Sequence, residues 1–130
     1  GGAGGMGIAS MLPNKDQQAM SDEQKEEALA LVKGMHMNKS LCYTKLEEWK
    51  KGAEAVNKAL EFGGDEGKCK YRRGMCHVKL GDAVAARSDL ERARELNPSD
   101  AAIAKMLKEV DKLDKKQEGK AKATFKKMFE

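Results

Sequence analysis

The stretch Lys68-Cys69-Lys70-Tyr71-Arg72-Arg73-Gly74-Met75-Cys76-His77, continued by Val78-Lys79-Leu80-Gly81-Asp82, decides how this chain folds. It is basic and reads as a helix, yet it carries Gly74 in its middle. A glycine inside a helix costs about 1 kcal/mol against alanine, so it marks a place where another backbone must come close. Thirty-four residues earlier the pattern returns: Ser40 falls under Gly74, Cys42 under Cys76, Tyr43 under His77, Leu46 under Leu80, Val56 under Leu90 and Ala59 under Ala93. A period of 34 is the length of one helix-turn-helix unit in a stacked array.

The bulk of the chain agrees with short amphipathic helices. Of 130 residues, 40% are hydrophobic, 35% charged and only 5% aromatic, which gives thin apolar faces and no deep β core. One domain is the natural size for this length. The net charge of +4 is too modest to argue for nucleic acid. Cys42, Cys69 and Cys76 lack framework spacing and read as reduced packing residues, which points to the cytoplasm. A metal site would have to recruit Cys69, Cys76, His77 and His36. Cys76 and His77 are adjacent on a helix and diverge by about 100°, so no metal or other cofactor is expected. No apolar run approaches the ~20 residues of a membrane span, and no signal peptide is visible.

Residues 1–20 open Gly-Gly-Ala-Gly-Gly and read as a flexible linker outside the fold. Ser21 with Gln24 forms a capping box, and Asp22 and Glu23 suit the positive end of a helix. That first helix passes through Ala28, Leu31, Val32, Met35, Cys42 and Leu46, either unbroken to about Lys45 or interrupted near Gly34. A second runs from about Trp49 to Phe62 and buries Ala53, Val56, Ala59, Leu60 and Trp49, stopping at Gly63-Gly64. A third covers Glu66 to Leu80. The fourth, Ala83 to Leu96, buries Ala86, Leu90, Ala93 and Leu96 and ends at Asn97-Pro98. Ser99 or Asp100 then caps a long fifth helix with an apolar stripe of Ile103, Met106, Leu107, Val110 and Leu113. The expected fold is all-α, with two repeat units over 21–98 and a helical extension over 99–130.

The 34-residue pattern resembles the tetratricopeptide repeat, whose signature is W-x2-L-G-x2-Y, then A-x3-F, an alanine and a proline. With Pro98 in the last slot, Gly74, Ala86, Leu90 and Ala93 fall in register; His77 stands at the tyrosine slot, and Lys70 and Arg73 depart from Trp and Leu. In the earlier unit Ser40, Tyr43 and Ala59 fit, while Gly52 and Gly64 replace the first alanine and the proline. Small residues at these slots let paired helices approach. Met37 to Leu46, Asn57-Lys58-Ala59-Leu60, Lys68-x-x-Tyr71-Arg72-Arg73-Gly74 and the ending Phe125-Lys126-Lys127-Met128-Phe129 are similar to the co-chaperone tetratricopeptide domain of large FKBP-type peptidyl-prolyl isomerases. The similarity covers about residues 22–130. It implies three repeats and a capping helix that hold the acidic C-terminus of heat-shock protein 90, which ends Glu-Glu-Val-Asp.

On this chain Lys68 and Arg72 are four apart and share a helix face. Asn38 and Arg72 are 34 apart and hold the same slot in successive units, and equivalent first-helix positions line one wall of such an array. An amide, an ammonium and a guanidinium there would suit a pair of carboxylates. The resemblance implies that Asn38, Lys68 and Arg72 belong to the family's carboxylate clamp. A first repeat, which would supply a further lysine and asparagine, has no counterpart here. The expected consequences are weakened affinity and a first-helix face (Leu29, Leu31, Val32, Met35) free for homodimerisation or helix exchange.

Three other readings stand beside the adaptor. An enzyme is not expected, because neither His36, His77 nor the cysteines form a base-orienter pair and no phosphate-binding glycine loop follows a strand; the resemblance implies that any isomerase domain lies upstream. The basic C-terminal helix, with Phe125, Met128 and Phe129 among lysines, suits calmodulin or another helix-binding partner, and the resemblance implies the same. A purely structural dimerisation domain is the third. Residues 101–130 hold nine lysines against five acids, but they are interspersed and no stacking aromatics accompany them, so neither nucleic acid nor a membrane is expected as partner.

Overall fold

A computed structural model describes residues 19–130. Five helices hold 82% of these residues, and none of them lies in a strand, which makes the fold all-α. The helices are α1 (Asp22–Lys45), α2 (Trp49–Glu61), α3 (Glu66–Lys79), α4 (Ala83–Leu96) and α5 (Ala101–Lys127). The expected linker falls mostly on residues 1–18, outside the described residues. The chain divides into two units at Leu31/Val32, within α1.

In the first unit the capping box forms as the sequence dictates. Gln24 N–H donates to Ser21 Oγ at 3.2 Å, and Ser21 N–H donates to Gln24 Oε1 at 2.9 Å. Gly34, which falls in the second unit, does not break α1, and a Cβ added there would meet nothing within 4 Å.

In the second unit the helix ends follow from local chemistry. Asp65, Asp82 and Asp100 cap α3, α4 and α5 by accepting from the N–H groups of Lys68, Ala85 and Ala102 at 2.8, 3.0 and 2.8 Å. Gly63 and Gly81 close α2 and α3 at φ of 80° and 78°, where a side chain would be strained. The turns Leu46–Glu48 and Leu80–Asp82 fold α1 on α2 and α3 on α4 as two short hairpins.

Hairpin one closes on small residues. Ser40 Oγ donates to the Gly52 carbonyl at 3.0 Å in a fully buried contact, and Val56 and Ala59 pack with Cys69 against Met37 and Leu60. The apolar series that marks α1 is not what it buries: Ser40 and Thr44 are buried, while Leu29, Leu31 and Met35 are exposed. The buried face is set by the partner, since Gly52 leaves room for a small polar residue and no leucine. Hairpin two buries Ala83, Ala86, Leu90 and Ala93, and α5 covers them with Ile103, Leu107 and Val110. Burying each of those three α5 side chains contributes about 1.5–3 kcal/mol.

Three sequence expectations change. Gly74 is required by a side chain and not by a backbone, because a Cβ there would lie 2.7 Å from Leu90 Cγ. Leu96 is exposed, at the edge of a cleft that it lines with Tyr71, Ala93 and Ile103. Trp49 is half-buried, with Lys79 Nζ 5.6 Å from its ring centroid. Beyond Leu113, α5 is anchored by Gln117 Nε2, which donates to the Gly81 carbonyl at 2.7 Å, and its last turns are exposed. Arg87 ties α4 to α5 through Asp111 and Asp114.

Candidate functional site

The three clamp candidates lie on α1 and α3, and the two helices meet where these residues are. Met37 Sδ and Cys69 Sγ are 3.5 Å apart. Met37 precedes Asn38, and Cys69 lies between Lys68 and Arg72. Asn38 and Lys68 are exposed and Arg72 is half-buried. None of the three side chains makes an ion pair or hydrogen bond with another described residue.

Lys68 opens onto a cleft of about 480 Å³ between the start of α3, the end of α4 and the start of α5, where Tyr71 and Ile103 form its apolar wall. Asp65, Glu66 and Asp100 also line it, but each is engaged elsewhere. Asp65 and Asp100 cap helices, and Glu66 Oε1 accepts from Arg92 Nε at 2.7 Å. That bond, ahead of any other influence, holds the Glu66 carboxyl below its ordinary value. The ammonium of Lys68 has no ionic partner among the described residues, whereas each of these carboxylates already accepts a hydrogen bond. Asn38 and Arg72 do not line the cleft.

Arg72 makes its charge felt on the buried sulfurs of its own helix. Burial pushes the Cys69 and Cys76 thiols up, and the Arg72 guanidinium works against that shift at both. At about 100° per residue, Arg72 lies within about 60° of both Cys69 and Cys76 around α3.

A second constellation was not foreseen from the sequence. Asp89, on α4, has a side chain only 6% exposed and takes a two-pronged bond from Arg73: Nε to Oδ2 at 2.8 Å and Nη2 to Oδ1 at 2.7 Å. Lys70 Nζ and His77 Nε2 each approach to 3.8 Å, and Arg73 Nη1 donates to Asn57 Oδ1 of α2 at 2.9 Å. The bond to Asp89 raises the Arg73 pKa above its ordinary value. One signal could have revealed it. Asp89 sits three residues after Ala86 and four before Ala93, on the buried stripe of α4, and a buried acid needs a cation.

Among the described residues no group of three or more His, Cys, Asp or Glu is placed to hold a metal ion, and no helix is long and apolar enough to cross a membrane.

Hairpins paired at a 34-residue interval, small residues at the crossing slots and a long helix over the last pair define a tetratricopeptide-type helical array. No family model matches the sequence. Over 114 residues, 88% of this chain, it is 34% identical to the peptidyl-prolyl cis-trans isomerase FKBP4 of Bos taurus and 30% identical to FKBP4 of Homo sapiens. The chain spans 25% of the length of these relatives. The matched quarter is their C-terminal part and not their isomerase domain, so the chain is related to the helical C-terminal region of large FKBP-type isomerases.

Proposed function

We propose that this chain is the adaptor domain of a cytoplasmic co-chaperone, and that it takes the acidic Glu-Glu-Val-Asp C-terminus of heat-shock protein 90 or 70 between Asn38, Lys68 and Arg72. The parent protein would be an FKBP-type peptidyl-prolyl isomerase, with residues 21–98 as repeat units and 99–130 as a helical extension. The observation that carries the reading is the Lys68 cleft. Asp65 and Asp100 are committed to helix caps and Glu66 to Arg92, while the Lys68 ammonium pairs with no described residue and is open to an incoming carboxylate. Arg72, also without an ionic partner, can add a planar fork and Asn38 an amide donor. Calorimetry with a Met-Glu-Glu-Val-Asp peptide tests this. Truncating Lys68 or Arg72 to alanine should cost about 1.5–3 kcal/mol of the binding, the range for a charge-assisted contact. Added salt should weaken the complex further. Equal binding by the parent chain and both variants would place the peptide elsewhere.

A second reading is favoured by the end of α5. Phe125 and Phe129 pack at 4.9 Å between centroids, and with Met128 they stay exposed among lysines. That is the chemistry of a basic amphipathic helix offered to calmodulin, in addition to the adaptor role. A calcium-dependent shift of the Phe125 and Phe129 resonances on adding calmodulin would support it; none in calcium would remove it.

A further inference from the structure

The cleft beside Lys68 holds more than one carboxylate would use. It has a volume of about 480 Å³, and Tyr71 of α3, Leu96 of α4 and Ile103 of α5 give it an apolar wall. Gly67 lines it too. A Cβ added at Gly67 would meet Asp65 Oδ1 at 3.5 Å and Leu96 Cβ at 3.8 Å, which are ordinary contacts. The fold therefore does not require a glycine here, and alanine would favour the helix. The missing side chain leaves the cleft open between α3 and Leu96.

The charges around this wall are of both signs. Asp65 and Asp100 each cap a helix by accepting one backbone N–H at Oδ1, and Asp100 Oδ2 accepts from the neutral amide of Asn97 at 3.4 Å. A capping carboxylate keeps its charge, and neither of these two makes an ion pair with a described cation. Glu66 differs, because Arg92 neutralises it. Along α3 the residues Arg72, Lys68 and Asp65 fall within about 60° of one another around the axis. They are about 6 and 4.5 Å apart along it, so the charge runs plus, plus, minus. An extended chain advances about 3.3 Å per residue, and a complement to that order carries acids first and a base a few residues away.

We propose that the cleft takes a lysine or arginine side chain of the partner's acidic tail, placed before the carboxylates that Lys68 and Arg72 hold. The aliphatic stem lies against Tyr71, Leu96 and Ile103, and the charged head reaches Asp65 and Asp100. Because the acids end the tail, the base can only precede them. The tail's own carboxylate neutralises Lys68, which removes the repulsion that an incoming cation would otherwise meet. Resting on the clamp reading, the subsite adds a rule of selection: among tails that end in the same acids, the one with a preceding base binds tighter.

Calorimetry on the full chain with three peptides tests this: Met-Glu-Glu-Val-Asp preceded by arginine, by serine or by glutamate. The arginine peptide should bind about fivefold tighter than the serine peptide, and the glutamate peptide should be weakest. Asp65→Asn combined with Asp100→Asn removes both charges and keeps both caps, since asparagine caps a helix as well as aspartate does; circular dichroism verifies the fold. In that variant the advantage of arginine over serine should vanish. Lys68→Ala should weaken all three peptides by similar factors. If no peptide binds, or if Lys68→Ala changes nothing, the clamp reading falls and the subsite with it. If Lys68→Ala weakens binding but the three peptides bind the parent chain equally, the subsite alone is overturned. An arginine advantage that survives the double variant overturns it as well, because the preference would then come from the general charge of the domain.

Discussion

Hairpins one and two use the same slots and fill them in opposite ways. At the crossing point of hairpin one the first helix keeps a side chain, Ser40, and the second gives one up at Gly52; the serine hydroxyl donates to the carbonyl of that glycine. At the crossing point of hairpin two the first helix gives one up at Gly74, and the second brings Leu90 where hairpin one has Val56. Volume is conserved across the pair and not at each position. Charge follows a different rule. Hairpin two buries its own acid, Asp89, beneath Arg73, whereas hairpin one has Lys39 and Ala55 in those slots. Hairpin two neutralises its own cation, whereas Lys39 and Lys51 of hairpin one have no carboxylate partner among the described residues.

The largest expected effect comes from removing that buried acid. Asp89→Ala leaves the Arg73 guanidinium, 21% exposed, without its carboxylate. Removing one partner of a buried pair costs about 3 kcal/mol or more, and the partial exposure of Arg73 places the expectation at the lower end. Asn57→Ala removes only one bond at the edge of the same cluster and should cost about 1 kcal/mol. Urea midpoints followed by circular dichroism give both numbers. If the two variants prove equally stable, the cluster is not what distinguishes the hairpins.

A smaller effect separates the two crossing glycines. Alanine at Gly74 puts a methyl 2.7 Å from Leu90 Cγ and 3.0 Å from its Cδ2, in a fully buried contact. Overpacking of this kind costs about 1–3 kcal/mol, against the ~1 kcal/mol gained by removing a helical glycine. At Gly52 the nearest atoms are Thr44 Cγ2 at 3.1 Å and Cys76 Sγ at 3.3 Å, both side-chain atoms that can shift slightly. Gly52→Ala should therefore be nearly neutral, and Gly74→Ala destabilising by about 1 kcal/mol or more. The reverse order, from the same urea titrations, would mean that hairpin one has the tighter crossing.

The difference between the hairpins also explains what could be read from the sequence. The 34-residue period is a backbone property, so it locates both hairpins, their turns and the crossing slots. The stripe of Ile103, Leu107 and Val110 is equally legible, because one face of α5 meets one continuous surface. The buried face of α1 is not legible from hydrophobicity: Ser40 and Thr44 are polar, and they are buried because Gly52 admits nothing larger. Of the candidate clamp, the register pairs Asn38 with Arg72 and the four-residue spacing adds Lys68, and α1 and α3 approach each other beside them at Met37 and Cys69. The sequence does not supply the Arg73–Asp89 pair, whose members are sixteen residues apart and come together only when the hairpin closes. The sharper clue was Asp89 itself, an acid on an apolar stripe.

The smallest effect concerns a bridge that only hairpin two possesses. Glu66 on α3 accepts from Arg92 on α4, and the equivalent slots of hairpin one hold Val32 and Lys58. Lys58 instead pairs with Glu61 of its own helix at 3.3 Å. The Arg92 bond lowers the Glu66 carboxyl below its ordinary value near 4.5, with burial opposing it and the charges of Arg92 and Lys70 assisting. A lowered carboxyl binds protons less readily in the folded chain than in the unfolded one. Its contribution is complete above the ordinary value and disappears as the pH falls through the lowered one. Both partners are open to solvent, so the contribution is small and screened by salt. Glu66→Gln should accordingly match the parent chain in urea midpoint once the pH is well below 4.5, and fall slightly below it near neutrality. High salt should shrink that gap. A gap that stays constant from neutral to acid pH would show that Glu66 acts through packing alone, and that the two hairpins differ in their buried charges and not in their exposed ones.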